Sequence, residues 1–220
     1  MSASAVGRGR RILIVGAGGF GRELLRWARD AWPDHAAAIA GFLSADPWPP
    51  AHRDRGLPIV ADPAVYEPRP GDAFLLGIGI PRVRRAVAEA LEARGAEFLT
   101  LVHPTALVAE TAVIGAGAVI CPLAIVSDGC RLGRFALLNY HTSLGHDAAA
   151  EDFAVLSPGA ALGGGAVVEA DAFLGLNASV GPGRRVGRGS KLAANSCALS
   201  DAPADSIVHG VPGRIGPLLP

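Results

Sequence analysis

His146 and Asp147 are adjacent in the most polar segment of the second half of the chain, residues 139–147. A carboxylate beside an imidazole stabilises the charged ring and can fix the tautomer of the neutral one. Such a histidine can act as a general base that takes a proton from an amine or a hydroxyl attacking a thioester. Because no serine or cysteine nucleophile lies beside the pair, we expect direct transfer between two bound substrates rather than a covalent enzyme intermediate.

The same segment also allows simpler interpretations. His146 and Asp147 could form only a solvated pair at a turn, and His141 could line a pocket without taking part in chemistry. Whether His146 and Asp147 are catalytic or only solvated therefore depends on the secondary-structure elements that position them.

An internal period of six residues governs this part of the chain. Every sixth residue is aliphatic, with one exception in fifteen, and the residue two positions earlier is nearly always Ala, Ser, Thr or Cys. Neither the helical period of 3.6 nor the strand period of 2 produces this pattern. Three short parallel strands wound into a triangular coil do, with one aliphatic side chain per face pointing inward. The positions are Val108, Ile114, Ile120, Val126, Leu132, Leu138, Leu144, Ala150, Leu156, Leu162, Val168, Leu174, Val180, Val186 and Leu192. They predict a hexapeptide-repeat β-helix of five coils.

The repeat also predicts the direction of the candidate base. Leu144 holds an inward position, so His146, two residues later, is expected to point outward at or near a corner. The glycines at 163–165 lie one coil later, where their backbone N–H groups could stabilise a developing oxyanion.

The first hundred residues follow a different pattern, in which short apolar runs alternate with amphipathic segments. Strands are expected at residues 11–15, 38–43, 73–77 and 97–101, helices at 22–31 and 81–94, and a proline-rich loop at 46–50. This alternation predicts a small doubly wound, Rossmann-like α/β domain. We place it at residues 1–102, with 1–10 flexible, and the β-helix with a C-terminal tail at 103–220. The turn-rich tail is expected to pack against the last coils.

Gly16, Gly18 and Gly21 match G-x-G-x-x-G between a predicted strand and a predicted helix. Glycines there let backbone N–H groups approach a phosphate at the start of a helix. A redox dinucleotide would need an acidic residue at the end of the second strand, where this chain has Ser44 and Ala45. A nucleotide-sugar diphosphate is thus favoured over a dinucleotide, and a tight turn without a ligand is the third possibility.

Composition narrows the class of protein. The 20 Lys and Arg residues balance the 20 Asp and Glu residues, so no basic surface for nucleic acid is expected. No apolar run is long enough to cross a bilayer, and no membrane partner is expected. Cys121, Cys130 and Cys197 form an odd set inside the repeat, with Cys130 in the small buried column. These cysteines indicate a reducing cytoplasm.

Several motifs together resemble one known family across residues 12–214. They are Gly16-Ala17-Gly18-Gly19-Phe20-Gly21-Arg22-Glu23, Gly41-Phe42-Leu43, Gly77-Ile78-Gly79, His103-Pro104, Asn139, Gly145-His146-Asp147, Asp152-Phe153, Ser157-Pro158-Gly159 and Gly210-Val211-Pro212-Gly213-Arg214. The chain resembles the NeuD/PglD-like sugar O- or N-acyltransferases, which have a left-handed β-helix.

This resemblance implies an acetyl-CoA-dependent acyltransferase, without a metal, that acetylates a nucleotide-linked amino sugar for polysaccharide or glycan biosynthesis. It makes His146 the general base, Asp147 its acidic neighbour and Asn139 a residue of the same pocket. It assigns the acceptor to Gly18, Gly19, Phe20, Ser44, Ala45 and Ile78, and CoA to Val155, Gly164 and Leu176. It also implies a homotrimer with its active sites between subunits.

Two departures from the family pattern matter. Some relatives have a second histidine where this chain has Val155, so a polar contact to the acyl group is lost there. The second strand ends in Ser44 and Ala45 instead of the paired acids common in relatives, which leaves the nucleotide and the sugar open.

Three alternatives remain beside N-acetylation. The same base could serve O-acetylation of a sugar hydroxyl. A zinc lyase of the γ-carbonic-anhydrase kind shares this prism, but it needs three converging imidazoles. His141 and His146 have a suggestive spacing, whereas the third ligand would fall on Thr105, with His103 nearby. A purely structural role is the last possibility.

Overall fold

The protein is described from a computed structural model at residues 9–48 and 57–218. The expectations for residues 1–8 and for Pro49 and Pro50 lie outside this part of the chain. The fold divides into two compact units between Leu101 and Val102. Within the described residues, no helix is long and apolar enough to cross a membrane.

The first unit is a four-stranded parallel sheet with helices between its strands. Its elements are β1 (Arg11–Val15), α1 (Gly19–Ala31), a 3₁₀ helix (Pro33–Ala38), β2 (Ile39–Leu43), β3 (Ile59–Ala61), β4 (Asp72–Leu76) and α2 (Pro81–Glu92). The strand order is β3-β2-β1-β4. β1 lies at the centre because its apolar residues are buried on both faces, as expected for a parallel strand.

The sequence predicts most of this unit, with two differences. β3 was missed, because three partly buried residues make too short an apolar run to stand out. The strand expected at residues 97–101 is wrong as a continuous element. Phe98 forms only an isolated parallel bridge with Phe74, and Leu101 begins the next sheet.

The second unit is a parallel β-solenoid with three sheets, which confirms the prediction from the hexad pattern. One sheet contains β5 (Leu101–Val102), β8 (Val119–Ile120), β11 (Leu137–Leu138), β14 (Val155–Leu156), β17 (Phe173–Leu174), β20 (Lys191–Leu192), β22 (Ser206–His209) and β23 (Arg214–Pro217). The next contains β6 (Leu107–Val108), β9 (Ile125–Val126), β12 (Ser143–Leu144), β15 (Ala161–Leu162), β18 (Ser179–Val180) and β21 (Cys197–Ala198). The third contains β7 (Val113–Ile114), β10 (Arg131–Leu132), β13 (Ala149–Ala150), β16 (Val167–Val168) and β19 (Arg185–Val186).

Equivalent residues stack on one another from coil to coil. Leu138 pairs with Leu156, and Leu144 pairs with Leu162, so the inward aliphatic column runs straight through the core. Strands of only two residues are enough for a stable solenoid, because each coil buries its aliphatic residues against the coils before and after it. The stack extends beyond the five coils expected, because β5 and β22 continue the first sheet at its two ends.

The corners of the solenoid turn through left-handed backbone. His141 and Asp147 have φ of 59°, and Gly129 and Gly183 have φ of 67° and 65°. Glycine adopts this conformation without strain, and aspartate tolerates it better than most side chains. At these corners the side chains of His141 and Asp147 are exposed and lie outside the apolar core.

The tail packs against the last coil, as predicted. β22 continues the parallel sheet next to β20, and β23 returns antiparallel along β22. Gly213 donates a hydrogen bond to the carbonyl of Cys197 over 2.8 Å.

Candidate active site at a corner of the solenoid

His146 and Asp147 form one corner of the solenoid, directly after β12. Leu144 is buried in the core, and the chain then turns so that both polar side chains point outward, as predicted for His146. The side chains are 74% and 71% exposed. Both are therefore open to a ligand from solution.

A hydrogen bond joins the two side chains. Nδ1 of His146 lies 2.9 Å from Oδ2 of Asp147. A carboxylate only accepts, so in the neutral ring the proton sits on Nδ1 and Nε2 keeps its lone pair. This is the tautomer that a general base acting through Nε2 requires.

Backbone hydrogen bonds fix the pair to the coils on either side. The N–H of Asp147 donates to the carbonyl of Asp128 over 2.8 Å, and the N–H of Gly165 donates to the carbonyl of His146 over 2.8 Å. Only the side-chain torsions of the pair are left to vary.

The expected oxyanion donors are reduced to one. The N–H groups of Gly163 and Gly165 donate to the carbonyls of Val180 and His146. They were predicted as donors, and this is wrong because the coil-to-coil ladder already uses them. Within the described residues the N–H of Gly164 makes no hydrogen bond, so it is the one of the three donors that the hydrogen bonds between coils leave available.

Asn139 lies at a different corner from His146. It follows β11, and its Oδ1 accepts a hydrogen bond from the N–H of Tyr140 over 2.8 Å. His141 is at that corner as well, with its ring edge-on to Tyr140. One chain thus presents Asn139 and His146 on two successive edges rather than together.

The residues expected to bind CoA are also spread over the solenoid. Gly164 lies on the same edge as His146, one coil later. Leu176, which is 52% exposed, follows β17 on the same edge as Tyr140. Val155 is the buried first residue of β14.

The residues expected to bind the acceptor meet at one edge of the α/β unit. Gly18, Gly19 and Phe20 follow β1, Ser44 and Ala45 follow β2, and Ile78 follows β4. The N–H of Gly16 donates to Leu43 over 2.8 Å, and the N–H of Gly77 donates to Val15 over 2.7 Å. These bonds hold the three loops side by side at the carboxyl ends of the strands, where ligands bind in parallel α/β sheets.

The glycines of the loop have two different roles. A Cβ on Gly21 would collide with the carbonyl oxygen of Gly16, and a Cβ on Gly16 would lie 2.9 Å from that of Gly77. By contrast, a Cβ on Gly18 would have nothing within 4 Å. Gly16 and Gly21 therefore close the loop, and Gly18 leaves open space for a ligand.

Two features of this edge were missed by sequence reasoning. A cavity of about 520 Å³ adjoins Ser44 and Ala45 and is also lined by Asp46, Trp48 and Asp62. Arg84 is fully buried and donates to the carbonyls of Leu76 and Ile78, both over 2.8 Å. In the sequence, Arg84 has helical spacing from Ala88 and Leu91, which are buried on the same face of α2. That spacing indicates an arginine that faces the core and has a structural role.

Cys130 is buried behind the candidate base, as predicted for its column. Its Sγ donates to the carbonyl of Gly145 over 3.1 Å. Burial raises the pKa of the Cys130 thiol, and the nearby carboxylates of Asp147 and Asp128 raise it further. The thiol is therefore a neutral packing group, not a nucleophile.

The described residues contain no group of three or more His, Cys, Asp or Glu side chains that could hold a metal ion. His141 and His146 point from successive corners, and Nδ1 of His103 lies 2.9 Å from the hydroxyl of Thr105. Within the described part of one chain, these histidines thus do not form a shared metal site.

Comparison with known sequences identifies two relatives, and no family model matches the chain. A GDP-perosamine N-acetyltransferase of Escherichia coli O157:H7 is 26% identical over 146 residues, 66% of each chain. A UDP-N-acetylbacillosamine N-acetyltransferase of Bacillus subtilis (strain 168) is 45% identical over 51 residues, 23% of this chain and 24% of that one. The matched segments thus span just under two thirds of the first relative and about a quarter of the second.

Solved structures are similar over almost the whole chain. A variant of perosamine N-acetyltransferase from Caulobacter crescentus, in complex with CoA and GDP-perosamine, has a TM-score of 0.82 and 25% identity over 94% of this chain and 96% of that one. The acetyltransferase domain of PglB from Neisseria gonorrhoeae FA1090, in complex with acetyl coenzyme A, has a TM-score of 0.82 and 25% identity over 93% and 98%. These relatives confirm the resemblance to the sugar acyltransferase family.

Proposed function

We propose, from this likeness to sugar acyltransferases, that the protein transfers an acetyl group from acetyl-CoA to the amino group of a nucleotide-linked amino sugar. The observation that carries the proposal is the similarity, over 94% of the chain, to an enzyme in complex with CoA and GDP-perosamine. The exposed His146–Asp147 pair supplies the base that such a reaction needs.

The reaction requires one proton to be moved. The sugar amine attacks the thioester carbonyl while Nε2 of His146 accepts the proton that the amine loses. The N–H of Gly164 donates to the oxyanion that forms. The carbon–sulfur bond then breaks, the CoA thiolate takes the proton back from His146, and an amide and free CoA are released.

We assign the two units to the two substrates. Residues 1–102 form a Rossmann-like domain that holds the nucleotide sugar through Gly18, Gly19, Phe20, Ser44, Ala45 and Ile78. The meeting of these residues at one sheet edge supports that assignment. Residues 103–220 form a left-handed β-helix that binds acetyl-CoA through Gly164 and Leu176 and performs the chemistry; Val155, also expected there, is buried in β14 and is left out of this assignment.

We further propose a cytoplasmic homotrimer with its active sites between subunits. Asn139 and His146 stand on successive edges of one chain, so neighbouring copies could bring Asn139 of one chain to His146 of another. A closed threefold assembly provides such a contact three times.

The test is incubation of the protein with acetyl-CoA and UDP-, GDP-, CMP- or dTDP-linked amino sugars, read by mass spectrometry. We expect one sugar nucleotide to gain a single acetyl group that resists hydroxylamine, as an amide does. A product cleaved by hydroxylamine would indicate transfer to a hydroxyl instead. If no sugar nucleotide is acetylated above a protein-free control, the proposed function is wrong.

A further inference from the structure

Two glycines of neighbouring coils lie against the His146–Asp147 pair. A Cβ on Gly129 would lie 2.5 Å from Oδ1 of Asp147, and a Cβ on Gly164 would lie 2.5 Å from Nε2 of His146. Real Cβ atoms essentially never come within 3.0 Å of a heavy atom to which they are not bonded. The side chains of the pair therefore occupy space that any other residue at 129 or 164 would fill.

Backbone conformation alone does not require glycine at 129. Asp147 occupies the same corner one coil later with φ of 59°, close to the 67° of Gly129. Gly183 is at this corner two coils beyond Asp147, with φ of 65°, and a Cβ there would meet nothing within 4 Å. What distinguishes Gly129 from Gly183 is the carboxylate of Asp147.

The preceding coil holds Gly129 in place. Its N–H donates to the hydroxyl oxygen of Thr111 over 3.0 Å. That hydroxyl in turn donates to Oδ1 of Asp128 over 2.5 Å. This hydrogen bond fixes the position of Gly129 next to the carboxylate of Asp147.

We propose that Gly129 and Gly164 are positioning residues for the catalytic pair. Gly129 lets the carboxylate of Asp147 fold back over the corner, so that its other oxygen faces Nδ1 of His146. Gly164 lets the imidazole lie over the next coil, beside the free N–H expected to bind the oxyanion. This proposal rests on the proposed function, with His146 as the base.

Adding a methyl group should separate activity from folding. The atoms that it would meet are the ends of two side chains that are 74% and 71% exposed and can rotate away. The coil therefore tolerates the methyl group, but the pair loses its hydrogen-bonded geometry. A displacement of about 1 Å in a catalytic group can lower turnover by about 10²-fold.

The experiment compares Gly129→Ala with Gly183→Ala, which introduces the same methyl group at nearly the same φ. We expect kcat for acetyl transfer to fall about 10²-fold in Gly129→Ala, with little change in the KM for acetyl-CoA. Gly183→Ala should keep nearly normal kcat, and both variants should lose similar thermal stability. Equal kcat in the two variants would overturn the proposal for Gly129.

A double-mutant cycle checks that the effect passes through the carboxylate. In an Asp147→Ala background, Gly129→Ala should cause no further loss, because the carboxylate that the methyl group disturbs is absent. A full additional loss would show that Gly129 acts elsewhere. In the same way, Gly164→Ala should lower kcat in the native chain but not in a His146→Ala background. A rise in the KM for acetyl-CoA without a fall in kcat would make Gly164 a binding residue only.

If Gly129→Ala does not fold, Gly129→Asn takes its place, with Gly183→Asn as its control. Asn177 and Asn195 already occupy left-handed corners, with φ of 53° and 57°. Gly129→Asn is expected to lose turnover, and normal turnover would again overturn the proposal. Absence of acetyl transfer by the unmodified protein would refute the proposed function, whereas active Gly129 variants would refute only the positioning role.

Discussion

The α/β unit and the solenoid place their functional residues differently with respect to their cores. In the solenoid, Leu144 fills the core and His146 stands outside it, so stability and chemistry belong to different residues. In the α/β unit, the candidate acceptor loop is itself packed. A Cβ on Gly77 would lie 2.9 Å from Cα of Gly21 and 3.0 Å from the side chain of Ile14. The solenoid therefore keeps the exposed side chain of His146 apart from its core, whereas the acceptor loop is part of the packing of its unit.

The largest expected effect is on turnover at the corner of the solenoid. His146→Ala should lower kcat by about 10²–10⁴-fold, the usual contribution of a general base. Its melting temperature should stay unchanged, because the ring is exposed. Steady-state kinetics and a thermal melt measure both quantities. His209→Ala, the same change at another exposed histidine of the solenoid, is the control. Nearly normal kcat would remove His146 from the mechanism.

The next effect should be on stability alone. Leu156 is fully buried between Leu138 and Leu174 in the inward column. Leu156→Ala should lower the free energy of unfolding by about 2–5 kcal/mol, measured by urea denaturation. Arg131→Ala, an outward change on β10, should alter it by less than about 0.5 kcal/mol. Similar losses in the two variants would contradict the separation of core and surface.

A smaller effect is expected at the acceptor loop. Gly18→Val places a side chain in open space, so the unit should fold while the KM for the sugar nucleotide rises about tenfold, or 1.4 kcal/mol. Gly21→Ala, in contrast, should destabilise the unit, because its Cβ collides with Gly16. Kinetics and melting curves of both variants distinguish these roles. An unchanged KM in Gly18→Val would mean that the acceptor binds elsewhere.

The smallest effect concerns Cys130 at alkaline pH. Burial raises the pKa of its thiol above the ordinary value of 9.0, so the folded state holds this proton more tightly than the unfolded state. The stability it contributes is complete below the ordinary value and is lost as the pH rises through the raised one. Unfolding curves between neutral and alkaline pH should show a decline that is weaker in Cys130→Ala. Identical declines would argue against this origin.

The period of the sequence explains why the solenoid was predicted so fully. Each inward position is repeated in every coil, so a single exception such as Ala150 cannot hide the pattern. The α/β unit has no such redundancy. Ile59–Ala61 was missed as a strand, and the segment around Phe98 was overextended, because each rests on one short run of residues.

The sequence predicts that the side chain of His146 points outward, but it does not predict which atoms surround that side chain. The register of Leu144 is enough to turn His146 outward. It does not show that the N–H groups of Gly163 and Gly165 are used in backbone hydrogen bonds. Nor does it show that Gly129 and Gly164 lie next to the side chains of His146 and Asp147. Those facts depend on which residues stack across coils and on rotamers, which a one-dimensional pattern does not encode.

The antiparallel return of β23 along β22 has a consequence for how copies of the protein meet. A parallel solenoid is a template at each end, since its last strand offers hydrogen-bonding groups in the register of one more coil. β23 runs the opposite way and carries Pro217, which has no N–H to donate. A chain cut before Arg214 would lose this antiparallel strand, and the outer edge of β22 would be open to pairing with a strand of another chain.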